Sequence, residues 1–278
     1  MSLAAGPESP YPQIGPPRAL DGEKRTMSLV SKSLQLIGRT LKIAATNPSR
    51  LSHVFGNALN ACDQVADRST DLLRFRPVSP ESLLPAGGEP GRMQLAVFPQ
   101  SHASVSILEF NCLILLMRQA RARNVFEFGT FKGISITQLA LNLPADSRIC
   151  TLDLPDETLQ TRLSIADAED AAIAKEGGKG SLIPAELRHR ITFIKQDSAA
   201  FDESVYAGQM DFVFVDGAHN YEYVKNDSEK GWRMLRPGGI IAWHDCRIQD
   251  AGVVRYLLES SFQPALISGT TVAFAVKP

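Results

Sequence analysis

The stretch that decides the fold is Asn124-Val125-Phe126-Glu127-Phe128-Gly129-Thr130-Phe131-Lys132-Gly133-Ile134-Ser135. Asn124 to Phe128 reads as a short buried strand, and a helix is expected from Ser135 to Leu143. Gly129 and Gly133 between them suit a tight turn in which backbone comes close to a ligand at a helix start. A dinucleotide fingerprint would read G-x-G-x-x-G, and Phe131 stands where its middle glycine belongs. Taken alone, G-x-x-x-G is only a strand-to-helix turn. Glu127, an acid two residues before the first glycine, strengthens the ligand reading.

Working outward, strands and helices alternate. A helix is expected over Ser104 to Ala122 before the turn. After it come strand Arg148 to Leu152, helix Glu157 to Lys175, strand Ile191 to Lys195 and strand Met210 to Val215. Helix Tyr221 to Leu235, strand Ile240 to Trp243 and helix Ala251 to Ser260 follow, and Ala265 to Val276 reads as two strands meeting near Gly269-Thr270. This order implies an α/β, doubly wound, mostly parallel sheet covered on both faces. The last two strands have no helix between them and should form an antiparallel hairpin.

In such a sheet, ligands bind outside the carboxyl ends of the strands. Those ends carry acids in every case: Glu127 at the glycine turn, Asp153, Gln196-Asp197-Ser198, Asp216-Gly217-Ala218-His219, and Trp243-His244-Asp245-Cys246. Any one of them is more often a helix cap or loop residue than a ligand. Five in register are harder to explain that way. Asp153 lies about 20 residues beyond the turn, where a carboxylate meets ribose hydroxyls in Rossmann-type proteins.

At this point the sequence resembles the class I S-adenosylmethionine-dependent methyltransferases. Within them it is most similar to the small-molecule O-methyltransferase branch that includes macrolide-sugar and cephalosporin-pathway enzymes. The E-x-G-x-x-x-G-x-S turn of Glu127 to Ser135 carries the likeness. So do Phe212-Val213-Phe214-Val215-Asp216-Gly217-Ala218-His219 and Leu235-Arg236-Pro237-Gly238-Gly239. The resemblance covers about residues 105 to 278 and implies a seven-stranded Rossmann-like sheet whose seventh strand is antiparallel. It implies that Glu127, Gly129 and Gly133 surround the methionine part of S-adenosylmethionine, with Thr130 and Ser135 of the same turn on the cofactor side. Asp153 would hold the ribose, Asp197 with Ser198 would sit at the adenine, and Asp216 would face cofactor and acceptor.

Two ways of activating the acceptor hydroxyl stay open. His219 is a titratable base three residues past Asp216, and its counterpart in related sugar O-methyltransferases serves as general base. The other is a divalent ion held by Asp216, Asp245 and His244. Metal-dependent relatives end the fifth strand in two oxygen ligands, whereas this chain has His244-Asp245. Imidazole is a poorer Mg²⁺ ligand, which shifts a metal toward a transition ion. The expected partner is a small-molecule acceptor. The alternatives are a catalytically silent S-adenosylmethionine-binding protein and, further off, an NAD-dependent oxidoreductase.

Bulk composition excludes other classes. The 278 residues carry a formal net charge of -1, so no global field draws the chain to nucleic acid. No apolar run is long enough to span a membrane, and the first 26 residues lack the apolar region of a secretory signal. Cys62, Cys112, Cys150 and Cys246 show no metal or disulfide spacing, which reads as a reduced, cytoplasmic chain. The expected domains are a disordered tail over 1–26, a helical extension with its linker over 27–95, and the methyltransferase domain over 96–278. The basic amphipathic pattern from Met27 to Arg68 suits a cap or homodimer arm, with membrane-surface contact as the other reading. Pro77 to Gly91 reads as linker.

Overall fold

The structure is a computed structural model, and it describes residues 70–85, 91–96, 98, 105–156, 161–165 and 168–278. The tail over 1–26 and the helices expected from Met27 to Arg68 lie outside the described residues, as do the dimer-arm and membrane-surface readings that rest on them.

Among the described residues, eight strands form one sheet: β1 (Arg76–Val78), β2 (Asn124–Phe128), β3 (Arg148–Asp153), β4 (Ile191–Lys195), β5 (Met210–Val215), β6 (Leu235–Trp243), β7 (Ala265–Ile267) and β8 (Ala273–Val276). Their spatial order is β1-β7-β8-β6-β5-β2-β3-β4. All neighbouring pairs are parallel except β6 with β8 and β7 with β8. The helices are α1 (Ile107–Gln119), α2 (Ile134–Leu141), α3 (Ala168–Lys175), α4 (Ala185–Arg188), α5 (Tyr221–Met234) and α6 (Ala251–Glu259).

The central strands are apolar on both sides because both faces are covered. Phe212 and Phe214 of β5 pack with Leu113 and Leu116 of α1, whereas Val213 and Val215 pack on the opposite face with Met234 of α5 and Trp243 of β6. The winding reverses between β2 and β5, so their carboxyl ends form the crevice where such sheets bind ligands.

Three expectations need correction. The sheet has eight strands, not seven, because Arg76–Val78 adds a strand beside β7 in a stretch whose prolines read as linker. Pro77 is tolerated there because an edge strand does not need its missing N–H for a further ladder. Among the described residues, the helix expected from Glu157 is observed only over Ala168–Lys175. Ahead of it, the Arg162 N–H bonds Asp197 and the Ser164 carbonyl accepts from Asn220, so tertiary partners take the backbone groups a helix would use. Finally, β6 begins at Leu235 and runs through Pro237-Gly238-Gly239, with a register irregularity opposite Met210 and Phe212.

Candidate active site

The turn after β2 is built on two left-handed glycines. Gly129 has φ +91°, and a Cβ there would lie 2.1 Å from the Asp216 carbonyl oxygen, so only glycine lets this turn touch the end of β5. Gly133 has φ +85° and would drive a Cβ to 2.4 Å from Ile183. The Asp153 carboxylate at the end of β3 ties the turn down. Its Oδ2 accepts from Thr130 N at 2.9 Å and Phe131 N at 2.7 Å, and its Oδ1 accepts from Leu154 N at 2.7 Å.

Beneath the turn, the Thr151 hydroxyl donates to Glu127 Oε2 at 2.5 Å and meets the Thr130 hydroxyl at 2.6 Å. Glu127 is completely buried, and its Oε1 has no hydrogen-bond partner among the described residues. Burial pushes its carboxyl up to about 8, against the opposing pull of the Ser135 and Thr151 hydroxyls.

At the far end of the crevice, Asp197 accepts from Arg162 N at 2.6 Å, Ala199 N at 2.9 Å and the Tyr223 hydroxyl at 3.0 Å. Beside it, Lys230 Nζ donates to the carbonyls of Ser198 and Phe201 at 2.6 and 2.5 Å. Asp227, one turn beyond Tyr223 on α5, is buried, and that burial raises its carboxyl to about 7.

The ends of β5 and β6 bring carboxylates and imidazoles together. His244 Nδ1 lies 3.1 Å from Asp216 Oδ1 and 2.9 Å from Asp245 Oδ2. His219 is clamped at both nitrogens, with Nδ1 2.6 Å from Asp170 Oδ1 and Nε2 2.9 Å from Asp245 Oδ2, and its backbone N–H also donates to Asp170 Oδ2 at 2.7 Å. Burial disfavours the His219 cation, but the Asp170 and Asp245 bonds outweigh it and hold the ring up to about 11. His244 is raised well above its ordinary value: burial opposes, while the charge of Asp216 and bonds to Asp216, Asp245 and Glu109 prevail. Asp245 sits at φ +54°, a left-handed conformation that Asp tolerates.

This cluster fits a divalent ion. Ligand atoms of Asp216, His244 and Asp245 all lie within 4.8 Å of one another. Asp245 Oδ1 is buried without an aligned hydrogen bond, although Arg247 stands 3.1 Å from it. Two oxygens and one imidazole nitrogen match the later first-row ions better than Mg²⁺.

A single cleft of about 950 Å³ joins these parts. Gly129, Thr130, Ser135, Asp153, Asp197, Ser198, Asp216, His219, His244 and Asp245 line it, whereas Glu127 and Gly133 stand behind its wall. The volume suits a nucleoside-sized cofactor with an acceptor beside it. Glu109, Asp170, Tyr223 and Asp227 also line the cleft and were not singled out by sequence. Tyr223 and Asp227 are four residues apart on a helix, a spacing that places both on one face. Glu109 is the one acid inside an apolar helix, three residues after Ser106, the spacing of a capping box. Asp170, within Ala168-Glu169-Asp170-Ala171, carries no such signal.

Residues 126–246 match the family described as Methyltransferase domain. A caffeoyl-CoA O-methyltransferase of Stellaria longipes is 29% identical over 150 residues, covering 52% of this chain and 55% of the relative. Tapetum-specific methyltransferase 1 of Arabidopsis thaliana is 30% identical over 147 residues, 51% and 55% of the two chains. A flavonoid 3',5'-methyltransferase of Vitis vinifera is 30% identical over 134 residues, 46% and 49% of the two. The chain thus spans about half the length of the curated relatives it matches. A solved O-methyltransferase of Bacillus cereus in complex with SAH has a TM-score of 0.44 at 21% identity, covering 64% of this chain and 84% of that one. The fold assignment rests on strand order and not on that likeness. Residues 126–246 thus match a methyltransferase-domain family, and the curated relatives that share this stretch are named as methyltransferases of small molecules.

Proposed function

We propose that this protein transfers the methyl group of S-adenosylmethionine to a hydroxyl oxygen of a small molecule. The observation that carries the reading is the convergence of the glycine turn and the acids at the ends of β3, β4, β5 and β6 on one cleft. The bound cofactor supplies a methyl already activated on a sulfonium, so the chain's own work is alignment and management of one proton.

The turn at Gly129 offers close backbone approach to the methionine part. Asp153 both braces that turn and keeps acceptor capacity at Oδ1 for a ribose hydroxyl. Asp197 already carries three hydrogen bonds, so it shapes the adenine end by fixing Tyr223, Arg162 and Ala199. Thr130 and Ser135 complete the wall on the cofactor side.

For acceptor activation, the geometry favours Asp216, His244 and Asp245 as holders of a divalent ion, which would lower the pKa of the acceptor hydroxyl. His219 faces a carboxylate at each ring nitrogen, and carboxylates only accept, so both nitrogens carry hydrogen and no lone pair is left for a proton. Its role is to hold Asp245 and the Asp170 segment in place. A base role returns only if Asp170 or Asp245 lets go on substrate binding.

Calorimetric titration with S-adenosylhomocysteine and with NAD⁺ tests the reading. Binding of the former alone, abolished in Asp153→Ala, is expected. Preference for NAD⁺ would overturn it.

A further inference from the structure

Glu109 lies outside all the strand-end segments, in the first turn of α1, yet it faces the cleft and is only 6% exposed. Its carboxylate meets four donors. Oε2 accepts from Ser106 N at 2.8 Å, and Oε1 accepts from Thr271 N at 2.8 Å and the Thr271 hydroxyl at 2.9 Å. The fourth is His244, whose Nε2 lies 3.4 Å from Oε2. Capping α1 requires the Ser106 bond alone. The Thr271 bonds anchor the carboxylate to the segment leading into β8, so it is held from two elements and cannot follow the ring.

The opposite nitrogen of His244, Nδ1, is the one that faces Asp216 and Asp245. Carboxylates face His244 at both nitrogens, so without an ion both carry hydrogen. An ion seated with Asp216 and Asp245 would displace the hydrogen on Nδ1, while Glu109 keeps the one on Nε2 and leaves the Nδ1 lone pair to the ion. We infer that Glu109 is a positioning residue that sets His244 in the Nε2–H tautomer and aims Nδ1 at the point shared with Asp216 and Asp245. The trio becomes a centre for an imidazole-accepting divalent ion such as Co²⁺, Ni²⁺ or Zn²⁺ in preference to Mg²⁺. This rests on the proposed methyltransferase site, within which it names the ion class and the residue that selects it. Carboxylates that orient a ligating histidine through its far nitrogen are worth about 10–100-fold in metal affinity.

The test is titration of the full chain with Co²⁺ alone, read by calorimetry and visible absorption, and a parallel titration with S-adenosylhomocysteine. Glu109→Gln should weaken Co²⁺ by about 10–100-fold and leave S-adenosylhomocysteine affinity unchanged. A folded Glu109→Gln protein that binds Co²⁺ as tightly as the wild type overturns the inference and leaves Glu109 a helix cap. If that variant does not fold, the unaltered chain decides. Loaded with Zn²⁺, its His244 ring should show hydrogen on Nε2 and metal on Nδ1 by long-range proton–nitrogen correlation, and metal on Nε2 overturns the inference. Wild type that binds S-adenosylhomocysteine but neither Co²⁺ nor Zn²⁺ also overturns it, with the cofactor reading intact. Glu109-dependent Co²⁺ binding without S-adenosylhomocysteine binding sustains it and overturns the methyltransferase reading.

Discussion

Two residues under the glycine turn show how little room the site leaves for change. Gly129 combines φ +91° with backbone only 2.1 Å from where a Cβ would stand, so Gly129→Ala must shift the turn away from β5. Left-handed strain alone costs about 1–2 kcal/mol. We expect Gly129→Ala to weaken S-adenosylhomocysteine binding by at least about tenfold in calorimetry, since a shift of about 1.4 kcal/mol already gives that factor; unchanged affinity would separate the turn from the cofactor. Glu127 governs a pH effect. Its carboxyl is raised from 4.5 to about 8 by burial, so the folded state keeps a proton that the unfolded chain gives up. Below pH 4.5 both states are protonated and nothing is lost. As pH rises toward 8 the unfolded chain gains by ionising, and folding stability falls by about 1.4 kcal/mol for each unit of that interval. Glu127→Gln removes the proton from the balance, so urea unfolding at pH 5 and pH 8 should show the variant gaining on wild type at the higher pH. A constant difference between the two proteins would show that Glu127 ionises in the folded state as freely as in the unfolded one.

At the scale of elements, Asp170 joins α3 to the active site. Asp170 reaches from α3 to the backbone N–H and ring of His219, which in turn holds Asp245 at the end of β6. In Asp170→Asn the amide oxygen can still accept from the His219 N–H, but its NH₂ then faces Nδ1, so the ring must give up the Nδ1 hydrogen and the charge-assisted bond, at a cost of about 1–3 kcal/mol. The expected result is faster hydrogen exchange across residues 168–175 with β2 and β5 unaffected, because those strands lie in the core and open only with the whole sheet. Unaltered exchange in α3 would mean that other contacts hold it. The helix expected over Glu157 to Lys175 ends where α3 ends, but nothing in its pattern marks Asp170 as the residue that ties it to the site. The pattern of α5 is stronger, and its predicted span, Tyr221 to Leu235, differs from the observed one by a single residue.

Over the whole molecule, the consequential surprise is that the segment before the main domain belongs to its sheet. β1 pairs with β7 in parallel, and Phe75 just ahead of it is 5% exposed in the same core as Phe126, Trp243 and Tyr256. If residues 75–78 were a linker, Phe75→Ala would change stability by no more than about 0.5 kcal/mol. Packed as it is, the ring should cost about 3–5 kcal/mol on removal, read as a lowered urea midpoint. Among the described residues no helix is long and apolar enough to cross a membrane.

The α/β alternation, strands β2, β4 and β5 to the residue, the terminal hairpin, and every strand-end acid that lines the cleft are legible along the chain. These are local matters: a buried parallel strand must be apolar, and a left-handed turn against a neighbouring strand needs glycine. The edge-strand place of Pro77, the carboxylate at each nitrogen of His219, and the position of Glu109 behind His244 emerge from the folded chain alone. Each depends on partners between 26 and about 190 residues away in the chain, brought together by the winding of the sheet. No periodicity records such a pairing, because it is set by which strands become neighbours and not by the residues beside them.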